Sequence, residues 1–222
     1  QKHTVNELLV VLAHEMGHGV HQLLAAEQGE LMSSTPLTLA ETASVFSEML
    51  TFHTILNAET SEQSKRLMLA DKIEDMLNTV VRQVAFHNFE YLVHTHRRQG
   101  ELSSNEISKF WVETQKQALG PGIRIDDSFK PIWAYVPHFV HSPFYVYAYA
   151  FGDCLVNALW QVYQDGSDAN FNIHYKTLLR SGGTVRFDQA LIPFSLNPSE
   201  PEFWNKGLDM ISTMIDQLEG LK

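Results

Sequence analysis

Two histidines four residues apart, His14 and His18, are the feature that most constrains the fold of this chain. Successive residues of an α-helix are about 100° apart, so side chains at this spacing lie on one face, roughly 6 Å apart along the axis. Both imidazoles can then bind one Zn²⁺ ion. Glu15 lies beside that face, where its carboxylate can take a proton from a water molecule activated by the metal. The motif therefore predicts a helix that carries a zinc site.

The same residues also fit an ordinary helix whose histidines lie at the surface or are satisfied in the core. A third ligand would decide, because catalytic zinc sites usually have three protein ligands and a water molecule. Glu41, at the start of a second predicted helix over about 39–57, has two interpretations. It is the third ligand, from a helix packed across the first, or it forms a capping box with Thr38. Glu48, on the same face, is either a partner of a ligand histidine or a surface glutamate.

The first helix should extend to about residue 29 and has one apolar stripe, made of Val5, Leu8, Leu9, Leu12, Met16, Val20 and Leu23. Gly17 and Gly19 interrupt it, and each costs about 1 kcal/mol in the middle of a helix. This cost favours close approach by a ligand or by another helix at both positions.

Helical periodicity continues along the rest of the chain, and no segment reads as a convincing strand. Apolar residues from Leu69 to Thr95 keep one phase, which predicts a helix of about 36 residues, roughly 55 Å long, ending near Gly100. Ser103 and Glu106 form a capping box before a fourth helix. We therefore predict an all-α fold with crossed metal-binding helices, one long spine helix and a C-terminal helix.

An irregular stretch over 123–141 contains aromatic residues and histidines, and Ser142-Pro143 is predicted to start the next helix. Tyr145 and Tyr149 would share one face of that helix. They are either part of an aromatic core stripe or, with His138, donors of hydrogen bonds to an oxyanion.

Composition limits the partners and the setting. The formal net charge is −10, which argues against nucleic acid or an anionic membrane as a partner. No run of 18 apolar residues reads as a membrane span. The only cysteine, Cys154, excludes an internal disulfide, fits a reducing, cytoplasmic setting and should be a buried free thiol.

The chain has 222 residues, and 44% of them are hydrophobic, enough for one helical domain over 1–222. It begins at Gln1, almost at the metal helix. We therefore expect a fragment or a processed chain with more protein before Gln1.

Several segments together resemble the oligoendopeptidase F branch of the thimet-oligopeptidase-like zinc peptidases. The segments are 13–18, 40–48, 79–90, 137–139, 144–149, 181–183, 201–204 and 215–219. They lie in the family's order along nearly the whole chain. Family members carry several hundred further residues before this region, so the resemblance covers only the C-terminal part of a family enzyme.

The resemblance implies a helical catalytic domain around a deep channel that acts on short, unstructured peptides. The roles that it implies are zinc ligation by His14, His18 and Glu41, general base catalysis by Glu15, and transition-state contacts from His138 and a tyrosine. Tyr145, Tyr147 and Tyr149 all match the tyrosine segment, and the shared face favours Tyr145 and Tyr149. The predicted function is a zinc-dependent endopeptidase that packs against a missing N-terminal part. A related zinc carboxypeptidase and a non-catalytic metal-binding helical fragment are the alternatives.

Overall fold

The computed structural model describes residues 5–221, apart from the side chain of Val5, and these residues form helices and turns without a strand. The α-helices are α1 (Val5–Ala25), α2 (Thr42–Ala58), α3 (Glu62–Leu77), α4 (Gln83–Arg97), α5 (Ser104–Leu119), α6 (His138–His141), α7 (Tyr147–Asp165), α8 (Phe171–Arg180), α9 (Phe187–Ala190) and α10 (Pro201–Gly220). The predicted all-α fold is confirmed. None of these helices combines the length and the apolar composition needed to cross a membrane.

The chain divides into two units. The first comprises the residues up to Asp75 and from Gly152 onward, and the second comprises Met76–Phe151. In the first unit α1 packs along α2 and also contacts α8. In the second unit α4 packs against α5. That residues 1–222 form a single domain stays a prediction.

The long helix predicted to end near Gly100 is present as a helical run from Glu62 to Arg97. It is not uniform, because Asn78–Arg82 forms a π-helical turn between α3 and α4. Single π-helical turns of this kind insert an extra residue into the helix and shift the phase of the side chains that follow. The sequence periodicity did not reveal this insertion.

The core of the first unit is built around the part of α7 from Gly152 to Trp160, which is buried on every side. Cys154 is 3% exposed, as predicted for a buried free thiol. Burial raises the pKa of this thiol to about 12. Gly207 of α10 packs directly on it, since a Cβ at Gly207 would lie 3.0 Å from the Cα of Cys154.

The core of the second unit is aromatic. Phe86, Phe89, Trp111 and Val146 are its buried members. The indole N–H of Trp111 donates a hydrogen bond of 3.0 Å to the carbonyl oxygen of Phe129. The predicted capping box before α5 is confirmed, with Ser103 at the N-cap and Glu106 as its partner.

The helix predicted to start at Ser142-Pro143 begins later, at Tyr147, so that prediction is wrong. Phe144 has a φ of 60°, in the left-handed region, which an α-helix cannot include. The amide of Tyr145 instead donates a turn hydrogen bond of 3.2 Å to the carbonyl oxygen of Ser142. Tyr145 therefore lies in the turn before α7, and Tyr149 lies in its first turn.

The apolar stripe of α1 faces away from the packed interior. Its described members are 45–77% exposed, and Leu23 is the most exposed of them. A continuous apolar face of this extent is unusual on a soluble protein surface and indicates a contact surface.

Candidate metal centre

The side chains of His14, His18 and Glu41 meet in the first unit. Nε2 of His14 lies 3.5 Å from Oε2 of Glu41, and Nε2 of His18 lies 3.3 Å from the same oxygen. The imidazole rings are 4.9 Å apart between centroids and nearly perpendicular, at 80°. In the described part of the chain these three residues are the group of potential ligands that could hold one metal ion.

These distances fit a zinc ion. Around a tetrahedral zinc with bonds of about 2.0–2.1 Å, neighbouring ligand atoms lie about 3.3–3.4 Å apart. The distances from Nε2 of His14 and Nε2 of His18 to Oε2 of Glu41, 3.5 Å and 3.3 Å, are close to this value. Two imidazoles and a carboxylate are also a donor set found in catalytic zinc sites, which keep a fourth position open.

Close packing of α1 against α2 brings Glu41 to the histidines. A Cβ built on Gly17 would lie 2.6 Å from the carbonyl oxygen of Ala43 and 2.6 Å from the Cα of Ser44. Only glycine permits this approach, so the predicted close contact at Gly17 is confirmed. A Cβ at Gly19 would meet no described atom within 4 Å, so none of the described helices makes the close approach predicted there.

Two further contacts hold the Glu41 side chain. The hydroxyl of Ser44 donates a hydrogen bond of 2.8 Å to Oε2 of Glu41. A Cβ at Gly152 would lie 3.5 Å from the Cβ of Glu41, at ordinary van der Waals distance, so α7 packs beside this side chain. Glu41 occupies the N-cap position of α2, but its side chain makes no capping hydrogen bond. The carboxylate is turned toward the histidines rather than toward the helix end.

Glu48 contacts a histidine of the site. Its Oε2 lies 3.3 Å from Nδ1 of His14, and its side chain is only 16% exposed. Its Oε1 accepts a short hydrogen bond from the ammonium of Lys72, which is 8% exposed. This geometry agrees with the interpretation that Glu48 is a partner of His14. It does not agree with the interpretation that Glu48 is a surface glutamate.

Glu15 is exposed and lies next to His14 on α1, as its sequence position requires. Next to His18, a cavity of about 450 Å³ is lined by polar side chains that include His18, His21, Ser34 and Thr35. Burial, together with nearby His18, lowers the pKa of His21 to about 4, so this imidazole is neutral at pH 7. The loop that carries Ser34 and Thr35 is anchored by the amide of Gly183, which donates a hydrogen bond of 2.7 Å to Met32.

His138, Tyr145 and Tyr149 form a cluster in the second unit. The rings of His138 and Tyr145 are stacked, with centroids 5.6 Å apart. The hydroxyl of Tyr149 lies 3.3 Å from Nε2 of His138, and the two tyrosine rings are in contact at 5.3 Å. The predicted proximity of the three residues is therefore seen, although Tyr145 lies in a turn and does not share a helix face with Tyr149. Their role in catalysis stays a prediction.

Comparisons with known proteins match nearly the whole chain. The model of peptidase family M3 matches residues 4–210. Oligopeptidase PepF of Bacillus subtilis is 29% identical over 216 residues, which are 96% of this chain and 32% of that protein. The chromosomal oligoendopeptidase F of Lactococcus lactis subsp. cremoris is 25% identical, over 96% of this chain and 35% of its own length. The chain thus spans about a third of the length of these relatives.

Solved structures match as well. A crystal structure from Chlamydophila abortus has a TM-score of 0.87 and 29% identity, covering 96% of this chain and 36% of that one. The crystal structure of oligoendopeptidase-F from Enterococcus faecium has a TM-score of 0.83 and 24% identity, covering 97% of this chain and 39% of that one.

Proposed function

Because the chain belongs to peptidase family M3, we propose that it carries the metal centre of a zinc-dependent endopeptidase that hydrolyses short oligopeptides. The supporting observation is that Nε2 of His14 and Nε2 of His18 converge on one carboxylate oxygen of Glu41. The relatives are named as an oligopeptidase and an oligoendopeptidase. Since the chain spans about a third of their length, the activity of the whole protein is part of the proposal.

His14, His18 and Glu41 would hold the zinc ion, which, when bound, supplies the Lewis acidity that lowers the pKa of a water molecule and polarises a peptide carbonyl. Glu15 accepts the proton that the attacking water loses, and then gives it to the nitrogen of the leaving amine. Ser44 keeps the Glu41 carboxylate oriented through its hydrogen bond. Glu48 does the same for the ring of His14.

The proposal assigns oxyanion stabilisation to His138 and a tyrosine. Both side chains can donate a hydrogen bond, and such donors stabilise the negative charge that develops on the carbonyl oxygen. Tyr149 is the better candidate by its contacts, since its hydroxyl lies 3.3 Å from Nε2 of His138. Tyr145 stacks on the same imidazole and would orient it.

We further propose that the exposed apolar face of α1 is covered by a part of the protein outside these 222 residues. Leu9, Leu12 and Met16 line an apolar cavity of about 450 Å³ together with Leu50 and Ile55 of α2. Leaving so large an apolar surface in water is unfavourable by about 25 cal/mol per Å². The remaining two thirds of the length of the relatives supply a natural partner for it.

The test measures zinc content and peptide hydrolysis on the intact protein. We expect about one zinc per chain and cleavage of an internally quenched peptide that is blocked at both ends. Glu15→Gln should retain zinc and lose turnover, whereas Glu41→Ala should lose zinc. Glu7→Gln, about two turns earlier on the same helix, is the matched control and should behave like the parent.

Other outcomes would overturn the proposal. Full turnover by Glu15→Gln would refute the assignment of the general base. Hydrolysis restricted to peptides with a free C-terminus would identify a carboxypeptidase instead of an endopeptidase. Zinc binding without hydrolysis of any peptide would identify a non-catalytic metal-binding protein.

A further inference from the structure

Lys72, on α3, has a nearly buried ammonium group. Its side chain is 8% exposed, and lysine is almost never buried to this extent without a charged partner. The partners are Glu48, which accepts a short hydrogen bond from Nζ, and Asp75, whose Oδ2 lies 3.8 Å from Nζ. The Asp75 side chain is 65% exposed, so its attraction for Lys72 is screened by water. Glu48 is therefore the partner that the buried lysine holds most strongly.

The carboxylate of Glu48 bridges two groups through different oxygens. Oε1 contacts Lys72, and Oε2 lies 3.3 Å from Nδ1 of His14. The other nitrogen of His14, Nε2, faces Glu41 at 3.5 Å. A hydrogen bond from Nδ1–H to a fixed carboxylate selects the tautomer in which Nε2 carries the free lone pair that a metal requires. Lys72 is thus linked to the ligand set through a single carboxylate.

A second acidic group lies near the lysine and offers a different explanation for it. This group is Asp153, which is 8% exposed and accepts a hydrogen bond of 2.9 Å from Nδ2 of Asn157. The positive charge of Lys72 lowers the pKa of Asp153, so the two groups attract each other. Lys72 could act only as a counter-charge to Asp153 and Glu48. The direct contact of Nζ with Glu48, the carboxylate that touches a ligand histidine, favours a role at the metal centre.

We infer that Lys72 is a positioning residue of the metal centre, which fixes the Glu48 carboxylate and through it the ring of His14. This inference rests on the zinc site proposed above. Neither Lys72 nor Glu48 touches the metal or the substrate in this assignment. Their effect is on how firmly His14 is held in the orientation that binds the ion.

The test compares zinc dissociation constants of variants of the intact protein, measured by competition with a chelator. Lys72→Met keeps the apolar stem and removes the charge, and it should weaken zinc binding about 10–100-fold, the usual effect of losing a residue that orients a metal ligand. Asp75→Asn is the matched control. It removes the exposed partner of Lys72 and should change the zinc dissociation constant less than about twofold.

A double variant separates positioning from simple charge balance. Lys72→Met alone leaves the partly buried carboxylate of Glu48 without its counter-charge, which destabilises the fold, whereas Lys72→Met with Glu48→Gln leaves no such charge. We expect the double variant to recover the melting temperature but to keep the weakened zinc affinity, because nothing then fixes the group beside His14. The absorption spectrum of the cobalt-substituted protein should also change in both variants.

The possible results are distinct. Recovery of parental zinc affinity by the double variant, or parental affinity in Lys72→Met, would overturn the role of Lys72 while leaving the zinc site in place. A parent protein that binds no zinc would overturn the proposed function and this inference together.

Discussion

Gly17 lies so close to Ala43 that a Cβ on the glycine would be 2.6 Å from the alanine carbonyl oxygen. At this contact the backbones of α1 and α2 pack directly against each other. His14 and His18 lie on either side of Gly17 in the sequence, and Glu41 lies two residues before Ala43. The separation of the two helix backbones at this point therefore sets the distance between the histidines and the carboxylate.

Gly17→Ala should damage the metal centre although it changes no ligand. The methyl group would push backbone atoms of α2 away, because a contact of 2.6 Å with backbone cannot be relieved by a rotamer change. We expect a loss of about 1–3 kcal/mol of stability and at least a tenfold weaker zinc affinity.

Gly19→Ala is the matched control for that substitution. Gly19 lies in the same helix as Gly17, but a Cβ added there would meet no described atom within 4 Å. The better helix propensity of alanine should therefore stabilise the protein by up to about 1 kcal/mol. Thermal unfolding and zinc titration of both variants test the prediction. Equal zinc affinity in the two variants would show that the separation of the α1 and α2 backbones does not control the site.

Asp153 should make stability depend on pH. Burial raises the pKa of its carboxyl from 3.8 to about 6, and the charge of Lys72 and the Asn157 amide offset only part of that. A raised pKa in the folded state gives stability that is fully present below about pH 4 and is lost as the pH rises through about 6. The difference between the pKa of Asp153 in the folded protein and its ordinary value corresponds to about 3 kcal/mol of unfolding free energy.

Replacement of the Asp153 carboxyl by an amide should remove this dependence of stability on pH. Relative to the parent, Asp153→Asn should therefore gain up to about 3 kcal/mol of stability between pH 4 and pH 7.5. Urea unfolding of both proteins in the presence of EDTA, at the two pH values, measures the change. A difference between parent and variant that does not vary with pH would contradict the prediction.

Glu90 should stabilise the turn before α7. This residue is 1% exposed, and its Oε1 accepts a hydrogen bond of 2.9 Å from the amide of Phe144, the residue with positive φ. Glu90→Leu would leave that partly buried amide without this acceptor and should cost about 1–3 kcal/mol. Glu90→Gln keeps an acceptor and should cost much less. The melting temperatures of the two variants, compared with the parent, give the answer, and equal losses would exclude the hydrogen bond as the reason.

The two tyrosines beside His138 should differ in their importance. Tyr149→Phe removes the hydroxyl that lies 3.3 Å from Nε2 of His138. If this hydroxyl stabilises the oxyanion, kcat should fall about 100-fold with little change in KM or zinc content. Tyr145→Phe keeps the ring that stacks on His138 and should lower kcat less than tenfold. A larger loss for Tyr145→Phe would reverse the assignment.

The sequence predicted those parts of the fold and the site that depend on local spacing. His14 and His18 lie within one turn of helix, and Ser103 and Glu106 form their capping box across three residues, so periodicity alone is enough. The sequence predicts the proximity of Glu41 only as one of two alternatives, because it depends on how two helices pack against each other. Gly17 is the signal for that close packing.

The parts that the sequence did not reveal depend on distant partners or on backbone conformation. Lys72 is 24 residues from Glu48, and a lysine in a charged helix gives no sign that it is buried. The left-handed conformation of Phe144 was missed because phenylalanine rarely adopts it, and the preceding Ser142-Pro143 is typical of a helix start. A π-helical turn leaves the average periodicity of a long helix nearly unchanged, so the sequence pattern predicts ordinary helix at Asn78–Arg82.

The burial of Cys154 makes it a chemical reporter for the first unit. It is the only cysteine of the chain, and with its pKa raised to about 12 almost none of it is thiolate at neutral pH. An alkylating reagent can reach it only when the packing around it opens, and the contact of α10 with α7 at Gly207 is part of that packing. The labelling rate at neutral pH, followed by mass spectrometry, would therefore report how often this part of the core opens.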